Sequence, residues 1–160
     1  MPYNGGFGRA QLEWLDQELR AAAVVGERVV LNSHVLLDPR AGDGTWRRIV
    51  HRRELSATNI VRLSGSTATW DFEQAMEIIH RYSCVAAVLC GHDHPGGYVL
   101  DERGIHHVTF ESPLNCSNGE ACSAVVEVYD DRIEIRGLGL VTSRVLKLVG
   151  IEAQRPASKV

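Results

Sequence analysis

No run of apolar residues in this sequence approaches the ~20 that a membrane-spanning helix requires; the longest, such as Val85 to Cys90, are far shorter. No C-x-x-C pair occurs among Cys84, Cys90, Cys116 and Cys122, which argues against a zinc ribbon or a thioredoxin-type redox site. Nor is positive charge in excess. Lysine and arginine total 17 against 20 acidic residues, for a net charge of -3, which argues against a protein built to grip nucleic acid. The start, Met1-Pro2-Tyr3-Asn4-Gly5-Gly6, has neither the basic nor the apolar region of a secretory signal. These absences lead us to expect a globular, cytoplasmic protein with reduced thiols, in contact with neither membrane nor nucleic acid. The cysteines then read as small buried or edge residues.

What is present is an α/β pattern. Leu12, Leu15, Leu19 and Ala22 recur at helical spacing from Arg9 onward, and Gly26 stands where a C-cap glycine would. Arg28 to Leu31 reads as a short buried strand running into Asn32-Ser33-His34, followed by a turn-rich loop at Pro39, Gly42 and Gly44. Residues 45–69 lack clean periodicity; surface insertion, flexible loop and short amphipathic helix all remain open. Their basic cluster, Arg47 to Arg53, reads as a solvated face rather than a nucleic-acid contact. Asp71, with Gln74 three residues on, resembles a capping box opening a helix whose apolar face carries Phe72, Ala75, Met76 and Ile79. Val85–Leu89 is a second buried strand. Asp101-Glu102-Arg103-Gly104 reads as a turn before a strand at Ile105–Phe110, and Asp130-Asp131 as the turn between strands Ala124–Tyr129 and Ile133–Arg136.

The chemistry gathers where strands end, since open α/β sheets collect ligands beyond the carboxyl ends of their strands. His34 follows the first buried strand; His92 and His94 follow the second, in a loop bracketed by Gly91 and Gly96-Gly97. If these strands are neighbours, the three imidazoles can converge. Extended backbone would point His92 and His94 the same way, whereas a sharp loop would splay them toward two ions. His106 and His107 fall in a strand, on opposite faces, so at most one reaches the same cavity; both are candidates to orient ligands. His51 and His80 read as solvent-facing. Asp93 either orients a histidine or is a solvated loop residue, and Tyr98 is either a stacking face or core. The Gly96-Gly97-Tyr98 loop could admit a nucleotide closely.

Ser33-His34 followed by Gly91-His92-Asp93-His94 resembles the last two motifs of the calcineurin-like metallophosphoesterases. Further stretches resemble the manganese-dependent ADP-ribose/CDP-alcohol diphosphatases of that superfamily. They are Asn4-Gly5-Gly6, Gln11-Leu12-x-Trp14-Leu15-Asp16, Asp38-Pro39 and Trp70-Asp71-Phe72. Gly96-Gly97-Tyr98, Gly104-x-His106-His107 and Val128-Tyr129-Asp130-Asp131-Arg132 continue the series in order. The resemblance implies the C-terminal half of a two-sheet α/β sandwich, with two mixed sheets flanked by helices, over residues 1–153, followed by a polar tail at 154–160. It implies two divalent ions, manganese first and zinc, iron or magnesium as alternatives, with His34 and His92 on one ion and His94 on the other. The implied substrate is a nucleoside-diphosphate-linked small molecule such as ADP-ribose or a CDP-alcohol, cleaved at its phosphoanhydride.

The family's other ligands, a D-x-H pair, a G-D-x-x-D and a G-N-H, are not found in the sequence. Gly42-Asp43 comes nearest, but Trp46 stands where the second aspartate belongs. Imidazoles without carboxylates suit zinc, nickel or copper better than manganese. The expectation is therefore a piece inactive alone, with exposed apolar surface and an unpaired sheet edge. It would be completed by a separate N-terminal half or by self-association. A truncated reading of a longer gene, or a non-catalytic binding module keeping the fold and a partial metal site, are the alternatives.

Overall fold

A computed structural model describes residues 5–42 and 67–148. Helix α1 spans Gly8–Val25 and buries Leu15, Leu19 and Ala22, the stripe that its periodicity marks. Gly26 ends it in the left-handed region (φ 76), a conformation that costs any residue with a Cβ. Helix α2, Phe72–Ile79, buries Ala75, Ile78 and Ile79. Asp71 does precede α2, but its carboxylate makes no bond to that helix. It accepts instead from the backbone N–H groups of Phe7 (3.0 Å) and Gly8 (2.8 Å), at the start of α1. The expected capping box is thus replaced by a cap across two helices, favoured because the positive end of a helix attracts a carboxylate whichever segment supplies it.

Strands β1 (Val29–Ser33), β2 (Val85–Cys90), β3 (Gly97–Leu100) and β4 (His106–Thr109) form one mixed sheet in the order β1-β2-β4-β3. β1, β2 and β4 are parallel, and β3 runs antiparallel on β4. Strands β5 (Cys122–Val128), β6 (Arg132–Gly139) and β7 (Arg144–Lys147) form a second sheet, antiparallel throughout rather than mixed. Short 3-10 turns lie at Pro39–Ala41 and Pro113–Asn115. β3 and β7, four residues each, carry no sequence signal of their own.

Alternation along β2 divides the core. Val88 and Cys90 face the helices, packing with Leu15, Leu19, Ala75 and Ile79. Ala87 and Leu89 face the second sheet, packing with Val108, Ile133, Ile135 and Leu146. Each fully buried Leu or Ile in these layers contributes about 1.5–3 kcal/mol from area removed from water. The cover is incomplete, as expected for a partial sandwich. Val126 and Val128 pair across the ladder with the buried Ile135 and Ile133, so they share the inner face, yet they are 37% and 64% exposed. Among the described residues β1 pairs with β2 alone, leaving its other edge without a strand. Of the ill-defined stretch at 45–69, only residues 67–69 are described; Ala68 is buried and bridges Leu36. Met1–Asn4, His51, the Arg47–Arg53 cluster and the tail at 154–160 lie outside the described residues. No helix among those described is long and apolar enough to cross a membrane.

Candidate metal centre

The ladder register brings the histidines together. Ser33 pairs with Cys90, and Cys90 with Thr109, so β1, β2 and β4 end at one level. One further bond, Gly91 N–H to the His34 carbonyl (3.1 Å), extends the pairing past the strand ends. His34 and His92, 58 residues apart in sequence, then meet with His34 Nε2 3.2 Å from His92 Nδ1. Their rings stand edge to face, 74° apart, with centroids at 5.1 Å. His92 is the one non-glycine residue with positive φ (68°) among the described residues. This strained conformation turns its ring toward His34 rather than along the strand direction.

Two imidazole nitrogens 3.2 Å apart suit a shared ion. With each nitrogen ~2.0–2.1 Å from it, they would subtend roughly 100°, between octahedral and tetrahedral values. The electrostatics agree. Burial first, then repulsion from His34, hold the His92 imidazole below its ordinary pKa of 6.5, with Asp93 partly opposing and His94 adding to the shift. A neutral imidazole is the form that donates a lone pair. The donor set is nevertheless short. Among the described residues no group of three or more histidine, cysteine, aspartate or glutamate side chains could hold one ion. His94, two residues on from His92, is exposed.

The loop is fixed by its own backbone. Asp93 N–H donates to the Gly91 carbonyl (2.8 Å) and Gly96 N–H to the Asp93 carbonyl (2.9 Å). Asp93 is 5% exposed, so it is no solvated loop residue. A methyl added at Gly42 would stand 2.7 Å from its Oδ2. At Gly97 an added Cβ would lie 2.2 Å from the Ala41 carbonyl oxygen, and at Gly96 (φ 71) 2.9 Å from Glu111 Cγ. Glycine at both positions is thus accounted for by the protein's own packing, without a bound nucleotide.

The paired histidines of β4 go to opposite faces, as alternation requires. His106 faces the second sheet: its Nε2–H donates to the Lys147 carbonyl (2.9 Å), and its Nδ1 accepts from the Tyr98 hydroxyl (2.9 Å). Tyr98 is neither wholly core nor a free stacking face. It is 38% exposed, with the Arg144 guanidinium 5.0 Å from its ring centre. His107 faces the helices, 2% exposed, and donates from Nε2 to Asp101 Oδ2 (3.2 Å). The same oxygen accepts from His80 Nε2 at 2.8 Å. His80 is therefore not solvent-facing; its ring is 20% exposed and tied to a fully buried carboxylate. A lone histidine at a helix end gives no sign of a partner 21 residues away, which is why sequence reasoning missed this cluster. Neither β4 histidine contacts the His34–His92 pair.

No family model matches the chain. Among individual proteins, it is 34% identical over 135 residues to the manganese-dependent ADP-ribose/CDP-alcohol diphosphatase of Arabidopsis thaliana, covering 84% of this chain and 37% of that protein. It is 30% identical over 151 residues to the mouse protein of the same name, covering 94% and 38%. A crystal structure of a dimetal phosphatase from Danio rerio superposes with a TM-score of 0.75 at 26% identity, covering 92% of this chain and 40% of that one. The chain spans a little over a third of the length of the curated relatives it matches. In sequence and in fold it resembles part of a calcineurin-like metallophosphoesterase of the ADP-ribose/CDP-alcohol diphosphatase type.

Proposed function

We propose that this chain supplies the histidine side of a two-metal site for hydrolysis of a phosphoanhydride, in a nucleoside-diphosphate-linked substrate of the ADP-ribose or CDP-alcohol class. The observation that carries the reading is the approach of His34 to His92 from two separate strand ends, at a distance suited to a common ion. His34 and His92 would hold one ion and His94 the other. Bound metal would polarise phosphoryl oxygens and lower the pKa of a water. The residues of this chain act by holding and aiming. The Gly91–His34 backbone bond locks the two loops in register, and the depressed pKa of His92 keeps its nitrogen available near neutral pH.

Alone, the chain should be inactive or nearly so, because among the described residues no carboxylate joins the histidines to bridge two ions and offset their charge. Manganese, which prefers oxygen ligands, should bind worse than zinc or nickel. Activity would need carboxylates from another polypeptide segment, whether a separate N-terminal half or a second copy. The test is release of AMP from ADP-ribose with manganese, by this chain alone and mixed with a segment carrying the D-x-H, G-D-x-x-D and G-N-H motifs. Turnover in the mixture, lost with His92→Ala, is the expected result. The incomplete ligand set favours one alternative, a non-catalytic module with a partial metal site. No turnover in any mixture, with nickel uptake that still depends on His92, would establish that alternative. Nickel uptake unchanged by His92→Ala would refute the ligand assignment itself.

A further inference from the structure

The four cysteines divide into two kinds. Cys84 and Cys90 are 2% and 6% exposed, and burial pushes the Cys90 thiol up to about 12. Such thiols are inert toward solutes. Cys116 and Cys122 are both partly exposed and lie at the two ends of one short loop. A turn bond, Glu120 N–H to the Ser117 carbonyl (3.0 Å), folds that loop back, and Gly119 takes positive φ (83°) within it. The Cys116 thiol points at the carbonyl of Ala121, the residue before Cys122, at 3.7 Å. Cys122 donates to the Glu111 carbonyl at 3.2 Å.

We propose that Cys116 and Cys122 are a dithiol that converts to an intramolecular disulfide by exchange with a low-molecular-weight disulfide. The chemistry balances without any other oxidant. One protein thiolate attacks a sulfur of the small disulfide, breaking its S–S bond, forming a mixed disulfide and releasing one small thiol. The second protein thiolate attacks the protein-side sulfur and expels the other small thiol. Two protein thiols are oxidised, and one small disulfide is reduced to two thiols, which take up the two protons.

The bond would close a ring from residue 116 to 122, which constrains the unfolded chain less than a crosslink across a long loop would. Its consequence is local. Forming it withdraws Cys122 from the Glu111 carbonyl, and Glu111 braces this region through its carboxylate, which accepts from the Thr142 hydroxyl at 2.6 Å. The next residue, Ser112, donates its N–H to the His94 carbonyl at 3.0 Å. The dithiol therefore sits at the far end of the strap that touches the histidine loop.

The test uses the whole chain equilibrated in buffers of reduced and oxidised glutathione, then alkylated, digested and mapped by mass. The expected result is a crosslinked pair at 116 and 122, with Cys84 and Cys90 alkylated only after denaturation. Cys116→Ser and Cys122→Ser should each trap glutathione on the remaining cysteine, at a level about tenfold or more above that of the wild type, because the neighbouring thiol no longer resolves the adduct. Full alkylation of both cysteines at every ratio, or a persistent glutathione adduct on the wild-type chain, would overturn the proposal. Both outcomes are read on the unsubstituted protein, so they stand even if a serine variant fails to fold.

Discussion

Replacing Asp101 with alanine should be among the most damaging single changes available in this chain. Its side chain is fully buried and accepts four hydrogen bonds: Oδ1 from the Arg103 and Ile105 N–H groups (2.9 and 2.8 Å), Oδ2 from His80 and His107 (2.8 and 3.2 Å). Truncation strands these donors unequally. Arg103 is exposed and His80 partly so, and water can reach both. Ile105 and His107 are 3% and 2% exposed, and each buried donor left unpaired costs about 1–3 kcal/mol. With the smaller losses at the exposed pair, the total is about 3–5 kcal/mol, or a fall in Tm on the order of 10 °C for a chain of this size.

Asp101→Asn should recover roughly half of that loss. Its carbonyl can still serve the backbone donors, while its amide would face two imidazole N–H groups. His107 can relieve that clash by moving its proton to Nδ1, a buried nitrogen that has no partner now.

The pH dependence carries an independent sign. Burial, only partly opposed by the hydrogen bond to Asp101, lowers the His107 pKa below 6.5. In the unfolded chain the ring protonates near 6.5, so stability is full above that value and declines as pH falls toward the folded pKa. Asp101 adds to the decline at lower pH. Burial pushes its pKa up, but hydrogen bonds from His80, Ile105, His107 and Arg103 outweigh this and hold it below 3.8. Removing the carboxylate should deepen the His107 depression and widen the window over which stability is lost. Urea unfolding followed by circular dichroism, at about pH 7.5 and about pH 5.5, measures both effects. A loss under about 1 kcal/mol for Asp101→Ala, with unchanged pH dependence, would refute this account of the cluster.

Asp71→Ala should cost about 1–2 kcal/mol by uncapping α1, and it should selectively speed amide exchange at Phe7 and Gly8, the donors it now serves. Gly97→Ala drives a methyl to within 2.2 Å of the Ala41 carbonyl oxygen. Because backbone must move, the loss should reach about 1–3 kcal/mol, with weakened nickel uptake at the adjacent histidine loop by calorimetry. Ile133→Ala, at a fully buried position between the sheets, should cost about 2–5 kcal/mol in urea unfolding. The exposed Val128→Ala, opposite it in the ladder, should cost well under half as much.

Local pattern made much of this protein legible. The α1 stripe of Leu15, Leu19 and Ala22, the apolar run that became β2, and the hairpin around Asp130-Asp131 are short-range signals, and each became the expected element. The histidines after two strands were readable for the same reason: loops at strand ends are where side chains can converge. Only the ladder register decided that His34 and His92 meet, since pairing Ser33 with Cys90 is a long-range choice that no window of sequence contains. The same holds for Asp71 crossing to cap α1, for His80 and His107 sharing one carboxylate, and for β3 and β7, which become strands because a longer neighbour offers them a ladder. Residue spacing fixes what a segment can present on its own surface. Which buried donor finds which acceptor is set by packing, because an unpaired polar group in the interior costs more than local preference can offset.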